Sequence, residues 1–135
     1  MTQTINESCR ALIQQTFMAS NNGTIHFGQV IGQLLSAGVE AYQVDYRAGR
    51  ATYYLPSGAT LDLDFARPEQ GIADIFNADA LRAAIRGAQQ GSVMYPEFKL
   101  LSQQAGCIGY TVWITGRHVS YFGRGGEVHI ERFPD

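Results

Sequence analysis

Hydrophobic and polar residues follow a helical period and then a strand period along this chain, and the same order occurs twice. Apolar residues at helical spacing that end at a glycine predict helices over about 4–23 and 27–37. The same pattern predicts helices over about 77–91 and 96–106, the first with Asn77 as its N-cap and the second opening on a proline. The chain is therefore expected to contain two pairs of helices.

A three-stranded meander is predicted after each helix pair, because apolar and polar residues then alternate between turn signals. In the second copy the strands cover about 109–115, 118–122 and 127–133, with turns at 116–117 and 123–126. The residues expected on one face of this meander are Tyr110, Val112, Ile114, Val119, Tyr121, Val128 and Ile130. Their counterparts in the first copy are Tyr42, Val44, Tyr46, Tyr54, Leu61, Leu63 and Phe65. Six strands with one apolar face and four helices to cover it predict an α+β fold with antiparallel meanders and helices on one sheet face.

An internal repeat organises these elements. Residues 22–58 align with residues 90–125 across a single one-residue gap, with nine identities in thirty-six aligned pairs. The alignment predicts a tandem ααβββ repeat related by a pseudo-two-fold, with copies at about 4–65 and 77–133. The linker 66–76 carries Ile72, Ile75 and Phe76 and is expected to pack down, so residues 1–135 are predicted to form a single domain.

Composition narrows the function classes. The 135 residues are 45% hydrophobic and 16% charged with a net charge of −2, which is typical of a globular protein and argues against a nucleic-acid binder. Cys9 and Cys107 form no CxxC pair, so neither a disulfide framework nor a zinc site is expected, and no cofactor is indicated. No signal peptide or membrane span is predicted, and we expect a cytoplasmic location without membrane partners.

The residue pattern of the second copy is similar to a bacterial protein family. The matching segments are Gln89-Gln90-Gly91, Tyr95-Pro96-Glu97-Phe98, 105–110, Gly116-Arg117, 121–127 and Glu131-Arg132-Phe133-Pro134. With 37–39 and 42–45 in the first copy, they resemble the domain of unknown function 1398 family, some of whose members are labelled phage envelope proteins. The resemblance implies a small soluble α+β protein of bacterial or prophage origin and implies no activity and no catalytic residues.

Candidate chemistry lies on the opposite face of the second meander. Alternation and tight turns are expected to place His118 opposite Glu131 and His129 opposite Ser120, with Trp113 beside Ser120. A histidine next to a carboxylate can serve as a general base, so His118, His129 and Glu131 are candidate catalytic residues. The alternative is a solvated sheet face with ordinary cross-strand polar pairs.

Two further features have both a functional and a structural interpretation. Asp45, Asp62 and Asp64 on the first meander could attract a hard cation or a basic partner, or could simply keep an exposed strand soluble. The glycine-rich run 123–126 could cradle an anion, but a hairpin turn explains it fully.

The leading hypothesis is a non-enzymatic binding or interaction module. Its partner is expected to be a second copy of the chain in a homodimer, another protein or a small molecule. The expected ligand or partner surface comprises Trp113, Phe122, Tyr53, Ser120 and Arg117. One alternative is a small acid–base or metal-assisted enzyme. Another is a regulatory prophage protein that binds a basic surface through the three aspartates.

Overall fold

Four helices stand in two consecutive pairs in the computed structural model, which describes residues 5–134. They are α1 (Glu7–Asn21), α2 (Phe27–Ser36), α3 (Ala78–Gln89) and α4 (Tyr95–Gln104). Asn6 accepts a hydrogen bond from the Cys9 amide at 2.8 Å, and Asn77 accepts one from the Ala80 amide at 3.0 Å. These caps start the first helix of each pair, because they satisfy amides that have no partner within the first turn. Thr4, where the first helix was expected to begin, lies outside the described residues.

Six strands form one antiparallel sheet in the part of the chain that the structure describes. They are β1 (Ala41–Asp45), β2 (Arg50–Tyr54), β3 (Thr60–Asp64), β4 (Cys107–Trp113), β5 (His118–Gly123) and β6 (Val128–Arg132). Their order across the sheet is β3-β2-β1-β4-β5-β6, so each run of three strands is a meander and the two meanders meet at β1 and β4. At this central seam Tyr42 pairs with Val112 and Val44 pairs with Tyr110.

The core lies between the helices and one face of the sheet, which we call the inner face. Ile13, Leu34 and Leu81 are completely buried helix residues, and Val112 is a completely buried strand residue. On the opposite face, the outer face, no helix of residues 5–134 packs, and this face carries most of the exposed strand side chains. The predicted α+β fold, with helices packed with an antiparallel sheet, is confirmed.

Left-handed backbone positions recur at a constant spacing. Gly23, Gly38, Gly49 and Gly58 have φ of 73°, 83°, 69° and 93°. Gly91, Gly106, Arg117 and Gly126, each 68 positions later, have φ of 79°, 87°, 59° and 86°. The one-residue gap that the sequence alignment introduced therefore has no counterpart in the backbone. Duplication itself stays a prediction, which this spacing supports.

The prediction of which side chains face the helices is wrong for β2 and β6. A three-residue loop, with Gly126 in the left-handed region, separates Gly123 from Glu127 and pairs Tyr121 with His129 and Ser120 with Ile130. A shift of one residue in a hairpin moves every side chain of a strand to the other face. Val128 and Ile130 therefore lie outside, and His129 and Glu131 lie on the inner face.

The sequence predicted Tyr54 on the inner face and Tyr53 on the outer face, and the structure shows the reverse for a related reason. Four residues connect β1 to β2, so Asp45 pairs with Arg50 and Tyr42 pairs with Tyr53. Tyr53 is consequently buried on the inner face, with its ring stacked on Tyr42 at 5.3 Å between centroids. Tyr54 lies on the outer face.

The linker 66–76 and the helix cap that follows it are hydrogen-bonded to the C-terminal end of α4. The Ala73 amide donates to the Gln103 carbonyl at 3.0 Å and the Asn77 amide donates to the Ala105 carbonyl at 2.7 Å. Ile72 is buried as expected, but Ile75, also expected to pack down, is 80% exposed.

Gly38 and Gly106 offer a matched test of this backbone, because both have a left-handed φ and only Gly106 is crowded. A methyl group at Gly106 would collide with the backbone of Ile75 and Phe76, whereas nothing lies within 4 Å of a methyl group at Gly38. We expect Gly38→Ala to cost about 1–2 kcal/mol of unfolding free energy, from backbone strain alone. Gly106→Ala should cost roughly 2 kcal/mol more. Urea unfolding measures both values, and equal losses would show that the linker does not press on Gly106.

Candidate functional site

An exposed apolar surface lies on the outer face of the second meander. It consists of Trp113, Phe122, Val128 and Ile130, which we call the outer patch. Trp113, Val128 and Ile130 are 43%, 51% and 60% exposed, and Phe122 pairs directly with Val128. Because Val128 and Ile130 were expected inside, the patch is larger than the sequence indicated. Contiguous apolar surface of this kind marks an interaction site more often than isolated exposed residues do.

Trp113 is held in place on this surface. Its indole Nε1 donates to Ser120 Oγ at 3.3 Å, and its ring centroid lies 6.2 Å from that of His118. The predicted neighbourhood of Trp113 and Ser120 is therefore confirmed. Ser120 itself is buried, so it contributes to the patch by orienting the indole.

The outer face of the first meander is polar and internally bonded. Asp62 accepts a hydrogen bond from Thr52 at 2.7 Å, and Asp64 forms an ion pair with Arg50 at 3.2 Å. Asp45 accepts hydrogen bonds from the amides of residues 47 and 48 in the following turn. Within residues 5–134 no three His, Cys, Asp or Glu side chains are grouped so that they could hold a metal ion. Each of Asp45, Asp62 and Asp64 therefore has a separate local partner, which favours the alternative that these carboxylates keep an exposed sheet face soluble.

Two residues of the predicted partner surface lie elsewhere. Tyr53 is only 4% exposed and belongs to the core, so it is not part of any outer surface. Arg117 occupies the turn after β4, and its guanidinium lies 5.7 Å from the ring centroid of Phe133. Trp113, Phe122 and Ser120 are the predicted surface residues that the structure brings together.

The three candidate catalytic residues do not form one group. His118 is on the outer face, whereas His129 and Glu131 are on the inner face, and His118 pairs with Arg132. His129 Nε2 lies 3.0 Å from Glu131 Oε2 and donates to it, because a carboxylate only accepts. The predicted pairing of His118 with Glu131 is wrong for the register reason given above.

Arg86 completes this inner cluster and was missed by sequence reasoning. Its guanidinium donates to Glu131 Oε1, so both carboxylate oxygens are engaged, one by Arg86 and one by His129. Partial burial alone would raise the pKa of Glu131. The hydrogen bonds from Arg86 and His129, together with their charges, outweigh that effect and lower this pKa below its usual range. No sequence signal links Arg86 on α3 to a strand 45 residues later.

A cavity of about 90 Å³ lies between the helices and the inner face of the sheet. Five tyrosines line it: Tyr42, Tyr53, Tyr95, Tyr110 and Tyr121. Tyr110 donates to the Tyr95 hydroxyl at 2.6 Å. Sequence reasoning placed Tyr42, Tyr110 and Tyr121 on the apolar face but treated them only as core. The concentration of tyrosines at inward strand positions was the signal that could have drawn attention to this space.

The glycine-rich turn 123–126 has a structural role. The carboxylate of Glu127 accepts a hydrogen bond from the Gly125 amide at 2.8 Å, so this turn already has an anionic partner within the chain.

Cys107 is buried, and burial raises the pKa of its thiol to about 11, which leaves it protonated at neutral pH.

One family model matches the chain. The model is described as a protein of unknown function (DUF1398) and covers residues 14–132, which agrees with the resemblance expected from the sequence. No curated protein matches the chain. None of the helices within residues 5–134 is long and apolar enough to cross a membrane.

The Glu131 cluster makes a prediction about acid stability. A carboxylate whose pKa is lowered by folding stabilises the folded state above its unfolded pKa, and this contribution disappears as pH falls through the folded pKa. We therefore expect Glu131→Gln to cost roughly 1 kcal/mol at pH 7, with a smaller cost at a pH below the folded pKa. Glu69→Gln, at an exposed loop carboxylate, is the control and should change little. Urea unfolding across this pH range checks the result, and a cost for Glu131→Gln that does not depend on pH would contradict the ion pair.

Proposed function

The chain belongs to the DUF1398 family of proteins of unknown function, and from that premise we propose that it acts as a non-enzymatic binding module. The outer patch carries this proposal. A sheet face that keeps three large apolar side chains between 43% and 60% exposed gains free energy when a partner covers it. Trp113, fixed by Ser120, supplies the rigid aromatic anchor typical of protein interfaces.

We propose a second copy of this chain as the partner. The four residues of the outer patch carry no charge, so a two-fold contact of patch on patch buries no unpaired ion. The neighbouring outer face, with Asp62 and Asp64, is hydrated and would be costly to cover with apolar surface. Two sheets stacked face to face at about 10 Å would interdigitate Trp113 and Ile130 with their counterparts.

The alternatives have less support. An acid–base enzyme would have to use His129 and Glu131 without His118, and both oxygens of Glu131 already accept hydrogen bonds. A basic partner for Asp45, Asp62 and Asp64 would compete with the partners that these carboxylates have within the chain. The phage relation and the cytoplasmic location stay predictions.

Sedimentation equilibrium tests the proposed dimer. At protein concentrations on the order of 100 μM the protein should sediment mainly as a dimer. Ile130→Asp places a charge in the contact and should raise the dissociation constant by about 30-fold or more, the effect of losing a residue that dominates an interface. Trp113 is the chain's only tryptophan, so its fluorescence should shift to longer wavelength as the dimer dissociates on dilution.

Ile75→Asp is the matched control. Ile75 is 80% exposed but lies in the linker, outside the outer patch, so the same substitution there should leave the dissociation constant unchanged. A wild-type protein that stays monomeric at this concentration would overturn the proposal. So would an equal effect of the two substitutions.

A further inference from the structure

The cavity beneath the helices lies on the other side of the sheet from the outer patch, so its use does not depend on the proposed dimer. Its walls come from all four helices and from both meanders. Phenylalanine, tyrosine and aliphatic side chains form most of these walls, among them Phe17, Phe98 and Val119. A ligand in this space would therefore contact mainly apolar side chains.

Three tyrosines that line the cavity have hydroxyl groups without a hydrogen-bond partner among residues 5–134. Every fully enclosed side-chain nitrogen or oxygen within residues 5–134 has a hydrogen-bond partner. The hydroxyls of Tyr42, Tyr53 and Tyr121 bond to none of these residues, so each keeps some accessible surface, and all three tyrosines line the cavity. Buried tyrosine hydroxyls normally find a hydrogen-bond partner. Burial raises the pKa of all three phenols, so they remain neutral and can both donate and accept.

The charged groups near the cavity lie at its border and already have hydrogen-bond partners or are exposed to solvent. Glu131 reaches its wall, but Arg86 and His129 engage both of its oxygens. The ammonium of Lys99, just outside, donates to Asn21 at 2.8 Å and lies 4.9 Å from the ring centroid of Phe65. His26 and Arg132, also on the wall, are exposed to solvent. Between the tyrosines a charged ligand would lose its hydration and would meet only neutral hydroxyl groups.

The volume limits the size of the ligand. A cavity of about 90 Å³ is smaller than the roughly 150 Å³ that accommodates benzene, and suits about four heavy atoms. We propose that this cavity is a binding site for a small uncharged molecule with a short hydrocarbon body and one hydroxyl or carbonyl group. The hydrocarbon part contacts the apolar walls, and the polar group bonds to the hydroxyls of Tyr42, Tyr53 and Tyr121.

Binding of 1-propanol, followed by NMR on the full chain, tests this assignment. Saturable shifts should appear at the rings of Tyr53 and Tyr121, with a dissociation constant of about 1–50 mM for so small a ligand. Tyr53→Phe removes the hydroxyl and keeps the ring, and should weaken binding about fivefold. Tyr54→Phe is the matched control on the outer face and should leave binding unchanged. Propionate, similar in size but charged, should cause no saturable shift at these rings.

A cavity-filling variant separates specific binding from general effects of alcohol. Ala88 lies on the wall and is partly buried, so Ala88→Leu should abolish the saturable shifts. Absence of saturable shifts in the wild-type protein would overturn the proposal. Persistence of those shifts in Ala88→Leu would do so too, as would equal binding by Tyr53→Phe and the wild type or tighter binding of propionate.

Discussion

The loop between β5 and β6 fixes which side of the sheet each side chain of β6 faces. Its three residues end in Gly126, whose left-handed φ of 86° lets the Gly123 amide bond to the Glu127 carbonyl at 2.9 Å. Because strand side chains alternate, this single pairing directs His129 and Glu131 toward the helices and Ile130 toward solvent. A two-residue loop would reverse all of these positions. Both the outer patch and the Arg86–Glu131–His129 cluster depend on it.

The two faces that result have different chemistry. The inner face holds neutral hydroxyls around a small cavity, where Arg86 and His129 pair with Glu131 and Asn21 accepts a hydrogen bond from Lys99. The outer face is divided between a polar first meander and an apolar second meander. Since β1 and β4 join the meanders into one sheet, each face is continuous across both halves of the chain. The fold thus offers two separate places for a partner, one for a surface and one for a small molecule.

Local sequence signals predicted the elements well, because caps, glycine stops and alternation act over a few residues. Asn77, Gly91 and Gly106 end or begin their helices as expected. The faces of β2 and β6 could not be predicted in the same way, because they depend on the length of the loop before each strand. Adjacent glycines such as Gly125 and Gly126 leave the end of such a loop ambiguous in the sequence. Matching Gly49 with Gly116 instead of Arg117, and then Gly58 with Gly125 instead of Gly126, shifted the later part of the alignment by one residue. The pairing of Arg86 with Glu131 requires the packing of α3 against β6, which no local pattern encodes.

Nuclear Overhauser contacts of the β6 side chains test the hairpin register most directly. The ring of His129 lies 6.3 Å from that of Tyr121, between centroids, so contacts between these two rings are predicted. The methyl groups of Val128 and Ile130 should contact outer-face neighbours such as Phe122 and Ser120. Contacts of the Ile130 methyl groups with Tyr121 or with Ile85 on α3 would place Ile130 inside. That result would contradict the assignment of faces on which the outer patch and the Arg86–Glu131–His129 cluster depend.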